Sequence, residues 1–179
     1  VLTIVVPGAE HFDDDKQEFF TVGDFTLELE HSLVALSKWE SEFEKPFLGK
    51  EEKTDEEIFG YIRAMSMTPN VPPEVWFRLT EDNVEAINKY IDSKMTATWF
   101  NKTKETPSSE RITSELIYYW MVVFQIPFEC ETWHLSRLFT LIKICNVKNE
   151  KPKKMNSSEA AAQRRELNAQ RKAQLGTSG

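Results

Sequence analysis

Apolar positions change their period twice along this chain. Leu2 to Val6 is a run of mainly β-branched residues that stops at Pro7-Gly8, and an acidic turn, Asp13-Asp14-Asp15, separates it from a second β-like run, Glu18 to Val22. A small β-hairpin, or two short strands, is expected over residues 1–25. From Thr26 the period lengthens: Leu29, Leu33, Leu36 and Phe43 recur at helical spacing with Trp39 beside them, predicting a helix that ends before Pro46. Thr54 followed by Glu57 is a capping box, behind which Ile58, Tyr61, Ile62 and Met65 form the expected buried stripe of a second helix.

Pro69, Pro72 and Pro73 make a rigid connector, and Glu74 to Leu79 can form a short helical turn. Thr80 is the next cap, and Val84, Ile87 and Ile91 mark an amphipathic helix. Ser93 to Ser109 reads as a polar loop. Ser109 then opens the strongest helical pattern, with Ile112, Leu116, Tyr119 and Val123 as its stripe and almost nothing polar from Leu116 to Phe124. It is expected to be the central helix, with Trp120 in the core. Pro127 interrupts it, and Glu129 to Val147 resumes with Cys130, Trp133, Leu138, Leu141, Ile142 and Cys145 at helical intervals.

Past Asn146 the composition shifts. Lys148 to Lys154 is basic, and Ser157 to Leu175 offers only Leu167 and Leu175 as large apolar residues, too few to bury a helix. The reading is a mainly α protein: an N-terminal β element (1–25), a helical domain (26–147) and a basic, conditionally helical C-terminal tail (148–179).

Composition supports this and adds a charge asymmetry. Only 6 Gly among 179 residues leave few tight turns for a sandwich or barrel, while 12 Phe, 5 Trp and 4 Tyr can anchor a core. The net charge of −7 divides into +5 over residues 148–179, from eight Lys/Arg and three Glu, and −12 over the rest. An acidic body with a basic tail is suited to protein partners, including other copies of itself, and repels nucleic acid. The tail residues Lys153, Lys154, Arg164, Arg165, Leu167, Arg171 and Lys172 are the candidate partner-binding residues. The longest apolar run, Leu116 to Phe124, is about half a membrane span, so no membrane role is expected. Two cysteines placed fifteen residues apart in one helix cannot pair, and with no signal peptide they point to a reducing cytosol.

Candidate chemistry is sparse. Cys130 and His134 are four apart and could supply two zinc ligands, but no second pair accompanies them, and His11 and His31 stand alone. Asp13, Asp14, Asp15 and Glu18 lack the alternation and central Gly of a calcium loop. Neither a nucleophile elbow nor a Gly-rich phosphate loop occurs, and Glu40, Glu42 and Glu44 read as a solvated face. No catalysis, metal or cofactor is expected.

Four stretches carry a resemblance. They are Glu30-His31-Ser32-Leu33 through Ser37-Lys38-Trp39-Glu40-Ser41 to Lys45-Pro46-Phe47-Leu48; Ile112-Thr113-Ser114-Glu115-Leu116-Ile117-Tyr118-Tyr119-Trp120; Ile126-Pro127-Phe128-Glu129-Cys130 to Trp133-His134-Leu135; and Arg165-Glu166-Leu167-Asn168-Ala169-Gln170-Arg171-Lys172. Over nearly its whole length the chain resembles the tail assembly chaperones of long-tailed bacteriophages and prophages of Gram-positive hosts. The resemblance implies a non-catalytic protein of the host cell cytoplasm that coats the tape measure protein and recruits tail-tube subunits. The alternative is a permanent structural protein of the tail or head-tail connection.

Overall fold

A computed structural model describes residues 1–13, 17–98, 100 and 111–149, together with 161, 164, 165 and 168. The chain divides into two compact units, Val1–Cys145 and Asn146–Gly179. Among the described residues, the first unit is mainly α with a small β portion at its N-terminus. In the second, the backbone at 161, 164, 165 and 168 is helical and the side chains there are exposed.

Four strands replace the expected two. Strand β1 (Leu2–Val6) pairs antiparallel with β4 (Phe25–Leu29), and β2 (Ala9–Asp13) with β3 (Glu18–Val22). The two runs visible in the sequence therefore do not pair with each other. Alternation sorts the faces of the β1/β4 ribbon: Ile4, Val6, Leu27 and Leu29 are buried while Thr3, Val5, Thr26 and Glu28 point to solvent. At the junction of the two ribbons Gly8 is required, because a Cβ there would meet the Val22 carbonyl oxygen at 2.3 Å.

The helix predicted from Thr26 begins instead at Leu33. Residues 25–29 are strand because they complete β1, and Ser32 caps the helix, its hydroxyl accepting from the Ala35 amide at 3.2 Å. This helix, α1 (Leu33–Phe43), buries Leu33, Ala35, Leu36 and Trp39. Helix α2 (Asp55–Ala64) starts at the anticipated capping box, with both reciprocal bonds present. It buries Tyr61 and Ile62, followed by Met65, whereas Ile58 lies outside. Gly60 lets α1 approach α2, since a Cβ at that position would lie 2.5 Å from the Phe43 ring.

Helix α3 (Pro73–Phe77) is short and begins on its proline. Helix α4 (Glu81–Ile91) starts from Thr80 in a second capping box closed by Asn83, and it buries Ile87 and Tyr90. Arg78 between them donates to the carbonyls of Pro7 and Gly23 at 3.0 and 3.4 Å, and Asn83 donates to Val5 O at 3.1 Å. These bonds fasten the α3–α4 corner to the ribbons.

Helix α5 (Ser114–Val123) starts from Thr113 rather than Ser109. A 3₁₀ turn (Phe128–Thr132) follows, and α6 (Leu135–Asn149) begins after a break at Trp133-His134. The last helical segment of the sequence is thus two elements. Cys130 sits in the 3₁₀ turn and Cys145 in α6, both as free thiols. No helix of the described residues is long and apolar enough to cross a membrane.

Candidate functional site

Residues 28–32 run extended through the middle of the first unit and are gripped from both sides. On one side the Met67 amide donates to Glu28 O at 2.8 Å and the Glu30 amide to Met65 O at 2.9 Å. On the other, the Leu135 amide donates to His31 O at 2.7 Å and Ser32 bridges His134. This places His31, His134, Tyr61 and Tyr90 with Glu30 in the interior.

The Tyr61 hydroxyl lies 2.6 Å from His31 Nδ1, and the Tyr90 hydroxyl donates to Glu30 Oε1 at 2.8 Å. Burial first, with His134 beside it, pushes the His31 imidazole down to about 4, so the ring is neutral at physiological pH and shares a hydrogen bond with the phenol. Desolvation raises both phenols well above the usual tyrosine range, so both keep their hydrogens. His134 Nδ1 accepts from the Ser136 amide at 3.3 Å, which leaves the hydrogen on Nε2 to be donated to Tyr90 O at 3.0 Å. The two imidazoles meet edge to face with centroids 5.0 Å apart.

Tyr61, Tyr90, Glu30 and His134 are thereby each hydrogen-bonded within the fold, and each such bond contributes roughly 0.5–1.5 kcal/mol net. His134 cannot offer a nitrogen to a metal without losing a fold contact. Cys130 lies in a different element, so the possible zinc pair has no shared helical face. Among the described residues no group of three His, Cys, Asp or Glu could hold a metal ion. In the acidic turn, Asp13 and Glu18 are opposed across β2/β3, and Asp14 and Asp15 fall outside the described residues.

Glu40 corrects the reading of a solvated acidic face. Its carboxylate is buried and accepts from the Phe47 amide at 2.9 Å and the Ser114 amide at 2.7 Å, tying the loop after α1 to the first turn of α5. Glu42 and Glu44 are exposed as expected. Glu57, also buried, accepts from the Thr54 amide at 2.9 Å and pairs with Lys45 at 2.5 Å, while its carbonyl accepts from the Trp39 indole at 2.7 Å. The Lys45 and Thr54 bonds hold its carboxyl below the usual glutamate range.

What the interior does not absorb is on the surface. The predicted stripe of α5 faces outward: Ser114, Ile117 and Met121 are buried, while Tyr119 is 61 % exposed and Val122 and Val123 are more than half exposed. Leu116 and Trp120 are half-buried, so Trp120 packs at the margin of the core and not within it. Phe128, on the adjoining 3₁₀ turn, is 53 % exposed. Nine consecutive apolar residues exceed what one buried stripe can take, and that excess was the available signal for a second face.

A second apolar surface lies between α2 and α3, where Phe59, Trp76, Leu79 and Pro73 line a groove of about 410 Å³ and Phe77 is 89 % exposed. Adjacent aromatics in a helix of one and a half turns cannot both face inward. That constraint is readable in Trp76-Phe77. Of the tail residues assigned to partner binding, Arg164 and Arg165 are helical and exposed. Lys153, Lys154, Leu167, Arg171 and Lys172 lie outside the described residues.

Comparison with family models, curated proteins and solved structures returns no match for this chain.

Proposed function

We propose that the chain is a non-catalytic assembly chaperone of long-tailed bacteriophages, which binds the tape measure protein and recruits tail-tube subunits in the host cytoplasm. The observation that carries a binding role is the outward face of α5, where Tyr119, Val122 and Val123 are exposed beside half-buried Leu116, with Phe128 exposed on the adjoining 3₁₀ turn. Covering a side chain of this size contributes roughly 1.5–3 kcal/mol, so a few of them suffice for a specific contact after the cost of association. Exposed apolar surface of this kind marks interaction sites. The phage assignment rests on the resemblance of the quoted sequence stretches.

Several of those stretches also contain the residues that build the interior. Glu30, His31, Trp39, Glu40, Phe47 and His134 make hydrogen bonds or ring contacts inside the fold, and the Ile112–Trp120 stretch supplies Leu116 and Tyr119 of the outward strip. Such a division suits a rigid body presenting one adhesive helix to an extended partner. Co-expression with the tape measure protein of the same phage tests the proposal. The tape measure protein should stay soluble with the chain and aggregate without it, and the chain should be absent from purified virions. Recovery of the chain from mature particles would favour the permanent structural role.

A further inference from the structure

The groove between α2 and α3 has an acidic rim. Glu56 lines it, Asp55 and Glu74 are exposed next in sequence to the lining residues Glu56 and Pro73, and among the described residues the one cation of the lining, Arg63, is paired with Glu42 at 3.4 Å. Its floor is aromatic, from Phe59 and Trp76, and Phe77 extends that surface outward. A fitting occupant carries large apolar side chains on one helical face, flanked by Lys and Arg.

The chain itself encodes such an occupant. In the sequence Arg164-Arg165-Glu166-Leu167-Asn168-Ala169-Gln170-Arg171-Lys172-Ala173-Gln174-Leu175, Leu167, Arg171 and Leu175 recur every fourth position, with Arg164 three before Leu167. On a helix these share one face. Arg164 and Arg165 are helical and exposed. With only two large apolar residues, the segment gains little by burying itself and more by lying on a surface that is already apolar.

We propose that the groove of one copy receives the segment Arg164–Leu175 of a second copy, Leu167 and Leu175 entering over Phe59, Trp76 and Phe77, and Arg164 and Arg171 facing Glu56 and Glu74. The contact joins two different surfaces, so it is head-to-tail and, unless the rotation closes a ring, adds copies one after another. The inference stands on the groove and the tail sequence, independently of the client assigned above.

Photo-crosslinking of the full chain tests it. With benzoylphenylalanine in place of Phe77 and equal amounts of isotopically light and heavy protein, crosslinks should join position 77 to residues 164–175, with mixed light–heavy pairs as abundant as like pairs. Crosslinks confined to single chains, directed to other segments, or absent would overturn the proposal. A charge swap supplies the second arm. Glu56→Arg with Glu74→Arg should lower the crosslink yield about tenfold at low salt while the circular dichroism melt is unchanged, and adding Arg164→Glu with Arg171→Glu should restore it. A loss that the compensating changes do not restore would equally overturn it.

Discussion

Helices α1 and α5 are nearly equal in length, 11 and 10 residues, and both are rich in aromatic and aliphatic side chains, yet they are used in opposite ways. In α1 Leu33, Leu36 and Trp39 fall on one side and vanish into the core, with Phe43 half-buried at the end of the same side. In α5 they go all the way round. Ser114, Ile117 and Met121 are buried, Tyr118 and Trp120 reach the margin of the core, and Tyr119, Val122 and Val123 remain outside. An amphipathic helix states where a domain packs on itself, whereas a helix that is apolar on every side states that something further has to cover it.

Truncation in the two helices should separate these uses most sharply. Trp39 is 1 % exposed, lies between Phe43 and Phe47 with centroids 4.9 and 5.1 Å away, and donates to Glu57 O. Trp39→Ala is expected to cost about 3–5 kcal/mol in a urea melt, enough to unfold a marginal domain. Glu40→Ala, which strands the Phe47 and Ser114 amides, is expected to cost about 2–3 kcal/mol. A loss below that for Glu40→Ala would return its carboxylate to the solvated face that the sequence suggested.

Acid should weaken the interior before it touches the outer strip. With His31 at about 4 in the fold and near 6.5 in the unfolded chain, the unfolded chain binds the extra proton between those values. Stability is therefore full above pH of about 6.5 and declines as pH falls towards about 4. Glu57, whose carboxyl is held low by Lys45 and Thr54, adds stability above its unfolded value that disappears as pH falls through its folded one. Urea melts at neutral and acidic pH should show a smaller decline for His31→Gln, and a flatter acid limb for Glu57→Gln, than for the unaltered chain.

The smallest effects belong to the surface. Tyr119→Ala should change stability by no more than about 0.5 kcal/mol, in contrast to Trp39→Ala, because its ring has no core to leave. Arg111→Ala, removing an exposed 3.7 Å contact with Glu51, should be similarly silent. A large loss for Tyr119→Ala would erase the contrast between the two helices.

How far the sequence could be read followed the range of the interactions. Caps are local, so Thr54 with Glu57 and Thr80 were readable from spacing alone, as was the short helix after Pro72-Pro73. Leu29 misled because its distance to Leu33 and Leu36 suits a helix, while its role comes from β1, more than twenty residues away. Glu40 misled for the same reason: the amide it caps lies 74 residues along the chain. The meeting of His31 with His134 has no signature in either neighbourhood. In α5 the apolar run was visible, but which side packs is decided by α1 and the 3₁₀ turn, and the stripe chosen from periodicity was the outer one.

The central claim is that the outer strip of α5 is a binding surface rather than unfinished core. Its most direct test is titration calorimetry of the tape measure protein with the unaltered chain and with Tyr119→Glu/Val123→Glu, a variant expected to keep the thermal midpoint of the unaltered chain. The account predicts that affinity falls at least about a hundredfold, as loss of about 3 kcal/mol from two central contacts requires. Equal affinity in the two proteins would contradict it.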